Sequence, residues 1–130
     1  MWAIIPALFM GWSLGANDAA NVCGLAVTVG AMRFRTAVFL TSVFVILGAY
    51  LSGQAGMGTY SALAGHGLGG AFCVALAAGL TVTVMTWRGL PVSTSQAAVG
   101  AIVGVALVTG KTVDWGVFGR IVISWVASPL

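Results

Sequence analysis

Residues 36–52 run from Thr36 to Ser52 through Val38, Phe39, Leu40, Phe44, Ile46 and Leu47 without one charged side chain. Similar apolar runs fill most of the rest of the chain. A bilayer core takes roughly 17–25 helical residues to cross, so this run is at the short end of a membrane span. Only 5% of the 130 residues are charged and 60% are hydrophobic, whereas soluble domains are about a quarter charged. So few charges cannot cover a soluble surface of this size. Disorder is excluded as well, because it needs low hydrophobicity and high charge. An all-α integral membrane protein is the expected class. The 19 glycines are about twice the usual share of roughly 7%, a usage that suits closely packed or broken membrane helices.

The net charge of +3 carries no sign of nucleic-acid binding. Arg33, Arg35, Arg88, Lys111 and Arg120 are scattered between apolar runs, where topology-setting charges belong. Cys23 and Cys73 lie in apolar stretches and read as buried packing residues. With His66 as the only histidine, no paired-ligand spacing for a metal or disulfide framework exists. Residues 1–14 are apolar but have no basic residue before them, so no cleaved signal is expected.

The first apolar block covers residues 2–32 and is too long for one simple span. With Asn17, Asp18 and Asn21 at its middle, it reads as two shorter helical pieces with a break near Gly15–Asp18. Residues 36–52 form the second span. Residues 53–70, rich in Gly and small polar residues, read as a loop or short surface helix. Residues 71–87 form the third apolar segment, with a ladder of Thr81, Thr83 and Thr86. Residues 97–108 and 116–130 form two more, separated by a polar turn at 109–115, and the last segment breaks off before it is comfortably long enough to cross. Arg33, Arg35 and Arg88 flank two crossings and are expected on one, cytoplasmic, face. Trp2, Trp87 and Trp115 read as interface anchors, His66 as a solvated loop residue, and Gly100 and Gly104 as a helix-packing pair.

Asp18 is the acidic residue inside an apolar segment. A mid-membrane Asp costs roughly 2.5–3.5 kcal/mol on insertion scales, against about 0.3–0.6 returned by each Leu or Val. Such residues are functional candidates by default; the plainer alternative is a helix cap in a polar turn. Asn17 and Asn21 are one helical turn apart and can share a cavity with Asp18. Amide and carboxylate oxygens are hard ligands that suit Na⁺ or protons. A second constellation follows Gly89 and Leu90. Pro91 suits the first turn of a helix. Ser93, Thr94 and Ser95 would then lie among unpaired backbone N–H groups, where hydroxyls either cap the helix or help to hold an anion. Nothing in the sequence forms a catalytic set, so an enzyme is not expected.

Gly15-Ala16-Asn17-Asp18-Ala19-Ala20-Asn21 resembles the GANDxAN signature of the inorganic phosphate transporter (PiT) family, and Gly89-Leu90-Pro91-Val92-Ser93-Thr94-Ser95-Gln96 resembles its GLPVSTTH segment. The stretch from Val113 through Ser124-Trp125 to Ser128-Pro129 is also similar to the family's N-terminal half. Ser95 stands where the family has a second Thr, and Gln96 where it has His. Residues 36–52 lack the acid that often follows in the family's second span.

The resemblance implies a multi-pass transporter of the plasma (cell inner) membrane, built from two inverted-topology halves and forming homo-oligomers. Residues 1–130 would be one transmembrane repeat, the N-terminal half, cut short within its last helix. The repeat would pair with a second inverted repeat of the same chain or a partner subunit, amid membrane lipid. Carried over residue by residue, phosphate falls to Ser93, Thr94 and Ser95, with Gln96 as an accessory. The coupling cation, Na⁺ or H⁺, falls to Asn17, Asp18 and Asn21, and no other cofactor is implied. Asp18 would repel an anion unless a cation or proton neutralised it, which favours symport. A sulfate or other oxyanion permease, a passive channel and a non-transporting membrane scaffold subunit stand as alternatives.

Overall fold

The computed structural model describes residues 4–129; Trp2, expected as an anchor, lies outside them. Five helices account for nearly all of this length: α1 (Ile4–Thr28), α2 (Phe34–Leu63), α3 (Leu68–Trp87), α4 (Thr94–Val108) and α5 (Trp115–Ala127). Two stretches, Phe34–Gln54 and Leu68–Trp87, are long and apolar enough to cross a membrane. At 1.5 Å per residue α3 is about 30 Å long, the thickness of the hydrocarbon core.

The side chains on α1 and α3 fix how these helices run. Phe9 packs over Gly79, Ser13 bonds Thr83, and Asn17 bonds Thr86. Partners advance together along both chains, so α1 and α3 are parallel. Gly79 is where they come closest: a Cβ there would stand 2.8 Å from the Phe9 ring and 3.3 Å from the Met10 Cα. The α3–α4 turn is closed by backbone chemistry. Gly89 adopts φ +70°, its N–H donates to Thr86 O, and the Leu90 N–H donates to Met85 O. This is a Schellman ending, which needs a left-handed residue and so favours glycine. Gly110, at φ +66°, ends α4 in the same way.

A second cluster forms at the other end of the hairpin. Leu63, Ala64, Val99, Ile102, Ala106 and Val117 are buried together, with Tyr60, Phe118, Ile121 and Trp125 packed around them. The loop between α2 and α3 is tied down three ways. Asp114 N donates to Leu63 O, Lys111 Nζ donates to Gly65 O at 2.7 Å, and His66 Nε2 lies 3.0 Å from Ile102 O. Asp114 also caps α5, accepting from Val117 N at 2.9 Å. Elsewhere the outer faces carry Phe39, Phe44, Ile46 and Leu51 in the open. A soluble monomer rarely exposes so contiguous an apolar surface; a bilayer solvates it.

Several sequence expectations are corrected here. No break occurs near Gly15–Asp18: α1 is one continuous helix of 25 residues. One glycine costs a helix only about 1 kcal/mol, and the polar side chains at its middle find partners on α3 and α4, so no backbone needs to open. Residues 53–63 continue α2 instead of forming a loop, and the connection shrinks to 64–67. Pro91 lies three residues before α4, not in its first turn. His66 is half-buried against α4, and its Nδ1 is buried with no hydrogen-bond partner among the described residues. Cys73 is exposed, and both cysteines are free. Gly100 and Gly104 meet nothing within 4 Å, so they pack no helix of the described chain. Arg88 belongs to a turn level with the middle of α1, whereas Arg33 follows the end of α1.

Candidate functional site

The α3–α4 turn rests against the polar middle of α1. Asn17 is 4% exposed, too buried to leave its amide unpaired. The orientation that satisfies both ends of the amide has its oxygen accepting from Thr86 Oγ1 at 2.9 Å. Its nitrogen then donates to Val92 O at 2.9 Å and to Asp18 Oδ1 at 3.3 Å. Asn21, one turn on, brings its amide within 3.4 Å of Asn17. On the other side, Thr94 Oγ1 donates to Asp18 Oδ2 at 3.2 Å. Both carboxylate oxygens of Asp18 therefore have donors, one on α1 and one on α4.

Ser93 is the N-cap of α4. Its hydroxyl accepts from Gln96 N at 3.4 Å and lies 3.0 Å from the Ser95 hydroxyl. Helix geometry leaves the N–H groups of Thr94 and Ser95 without intrahelical acceptors. With the helix dipole, this makes the α4 start electropositive. Asp18, Asn21, Pro91, Val92, Ser93 and Thr94 line an open cleft of about 340 Å³. The structure thus brings Asp18 and Asn21 together with Ser93 and Thr94. Asn17 sits behind them, against the turn, and its contacts position Asp18 and Val92. Ser95 and Gln96 are exposed and do not line this cleft. Among the described residues no three His, Cys, Asp or Glu side chains gather as a metal site.

Sequence reasoning noted Thr86 only as part of a threonine ladder and missed Ser13. Both cross-link α1 to α3: Thr86 through Asn17, and Ser13 through Thr83, whose own hydroxyl donates to Gly79 O. The spacing held a signal. Ser13 and Asn17 are four apart and Thr83 and Thr86 three apart, each on one helical face, so two polar stripes inside apolar helices could have been paired.

An unbroken polar-centred helix facing a hydroxyl-rich helix start, all within apolar helices, defines a membrane protein with a small, open polar cleft. The sequence model of the phosphate transporter family matches residues 14–130, and the chain belongs to that family. It is 35% identical over 147 residues to a protein of Chlamydia trachomatis that carries the name phosphate permease, covering 100% of this chain and 34% of the relative. A similarly named protein of Methanocaldococcus jannaschii is 38% identical over 128 residues, covering 98% of this chain and 41% of that one. Inorganic phosphate transporter 2-1, chloroplastic, of Arabidopsis thaliana is 35% identical over 139 residues, covering 98% of this chain and 24% of the relative. The chain thus spans between a quarter and two fifths of the length of these curated relatives. No solved structure matches it.

Proposed function

We propose that this chain forms one side of a site for inorganic phosphate transport coupled to Na⁺ or H⁺. The observation that carries the reading is the Asp18–Thr94 contact, which seats the acid of α1 beside the start of α4. In this reading Ser93 and Thr94, with the α4 backbone N–H groups, hold the anion's oxygens, and Ser95 supports Ser93 through its hydroxyl. Asp18 and Asn21 hold the cation, with Asn17 orienting them, and Gln96 is an accessory at the α4 start.

Electrostatics supports coupling. Two like unit charges 4 Å apart repel by about 4 kcal/mol in partly buried surroundings. An oxyanion at Ser93 and Thr94 would meet that opposition from an ionised Asp18. A bound cation, or a proton on Asp18, removes it. Charge neutralisation thereby links the two binding events as symport requires.

The cleft is open on its outer side. In this reading a second, inverted repeat closes it, residues 1–130 act as a single transmembrane repeat, and the α3–α4 hairpin is re-entrant. Its turn abuts Asn17–Asn21, while α1 runs on to Thr28, about 10 Å further.

Phosphate uptake into proteoliposomes tests the proposal, using the intact protein with Na⁺ and H⁺ gradients imposed separately and sulfate as competitor. Gradient-dependent uptake that resists sulfate and is lost in Asp18→Asn is the expected result. Block by sulfate moves the assignment to a general oxyanion permease. No uptake by folded protein leaves a scaffold role, and uptake without any gradient leaves a channel.

A further inference from the structure

Two cavities between α2, α4 and α5 adjoin each other. The first, about 460 Å³, is lined by Arg120 together with Thr59 and Ser124. The second, about 230 Å³, shares Thr59 and Ser124 with it and adds Tyr60 and Ser95. The Ser95 hydroxyl lies 3.0 Å from that of Ser93, which lines the Asp18 cleft. Hydroxyl-bearing residues therefore line the two cavities from Arg120 to the start of α4. Ser124 and Thr59 come first, then Tyr60 and Ser95, and finally Ser93.

Arg120 is the sixth residue of α5 and is set among apolar neighbours. Arg120 is exposed at the rim of these cavities, and in a membrane protein a charge on an apolar helix faces a polar cavity or a partner. The chain has two acidic residues, and both are committed elsewhere: Asp114 caps α5, and Asp18 takes the Thr94 hydroxyl. In a cleft walled by apolar helices, the guanidinium charge concentrates anions.

We propose that the cavities beneath Arg120 form an access route that draws an oxyanion along Ser124, Thr59 and Ser95 toward Ser93 and Thr94. The proposal rests on the reading of the α4 start as the anion site. It separates the charges by task, with Arg120 attracting the anion from one side and Asp18 holding the cation on the other.

The test uses the intact protein in proteoliposomes, with all of its cysteines replaced, Cys23→Ala and Cys73→Ala among them, and Ser124→Cys as reporter. The anionic thiol reagent MTSES and the cationic MTSET are the probes. The expected result is that MTSES labels about tenfold faster relative to MTSET when Arg120 is present. Arg120→Gln erases this preference and Arg120→Lys keeps it. In parallel, Arg120→Gln raises the KM for phosphate severalfold at low salt with kcat unchanged, and high salt closes the gap. An unlabelled or charge-blind Ser124→Cys in monodisperse protein overturns the route. Thr59→Cys, on the same wall, replaces it should Ser124→Cys fail to fold. If the protein carries no phosphate, the Proposed function fails on uptake alone, while the charge preference of labelling still decides whether the route attracts anions.

Discussion

Thr94 and Asp18, 76 residues apart in sequence, are joined by one hydrogen bond of 3.2 Å from the threonine hydroxyl to the carboxylate. The bond couples the candidate cation ligand to the candidate anion helix. Thr94→Val removes the donor and leaves a carboxylate oxygen unpaired. Because Asp18 is only half-buried, the cost is about 1 kcal/mol. The expected outcome is a Tm a few degrees lower in detergent, with a larger fractional loss of phosphate uptake. Thr94→Ser keeps the donor and restores both.

Asp18→Asn keeps the shape and an acceptor for Thr94 but removes the charge; its side-chain NH₂ then faces the Asn17 amide nitrogen, which still has Val92 O to donate to. Helix content and Tm should stay near those of the parent, while cation-dependent uptake disappears. Circular dichroism and uptake on the same preparation separate the two effects.

Gly79→Ala sets a methyl group 2.8 Å from the Phe9 ring, with the Met10 backbone just behind. The ring cannot retreat without moving α1, and overpacking of this kind costs about 1–3 kcal/mol. A lowered Tm is expected, and Phe9→Leu in the same chain should recover part of it. Equal losses in the single and double variants would show that α1 and α3 do not meet there.

Asn17 and Thr86 bond across α1 and α3 at 2.9 Å. A double-mutant cycle of Asn17→Ala and Thr86→Val should return a coupling of about 0.6 kcal/mol, the usual scale for such bonds between membrane helices. Asn17→Ala also unties Val92, so uptake should fall further than stability.

Gly89→Ala strains the turn, because φ +70° disfavours a Cβ by about 1 kcal/mol. The turn carries Pro91 and Val92 into the cleft, so the expected readout is a raised KM for phosphate together with a small drop in Tm.

Much of the fold was legible in the sequence, because apolar runs and their charged or glycine-rich boundaries report directly on membrane helices. The existence of α3, α4 and α5, the start of α5 to within one residue, and the polar identity of the α1 centre followed from that pattern. The continuity of α1 did not. Asn17, Asp18 and Asn21 looked like helix breakers while their partners on other helices were unknown, and Thr86, Val92 and Thr94 supply what a break would otherwise have supplied. Residues 53–63 misled for the opposite reason. Their glycines and small polar residues suggest a loop, but Tyr60 and Leu63 anchor the end of α2 in the cluster shared with α4 and α5. His66 looked solvated because no local pattern announces the Ile102 carbonyl, 36 residues away. In the candidate site, the motif residues were legible one by one. Which of them face one cleft was not, since Ser93 and Ser95, two residues apart, look into different cavities.

An uninterrupted α1 has a chemical consequence for ion selection. Each main-chain carbonyl near Asp18 accepts from the N–H four residues on, so the wholly unpaired carbonyls that a helix break would offer an ion are not formed here. The carboxylate and the amides are then the strongest ligands this helix has to offer a coordination shell. Backbone ligands are beyond the reach of ordinary mutagenesis, but side-chain ligands are not. If α1 holds a cation as proposed, these side-chain ligands are open to genetic test, one substitution at a time.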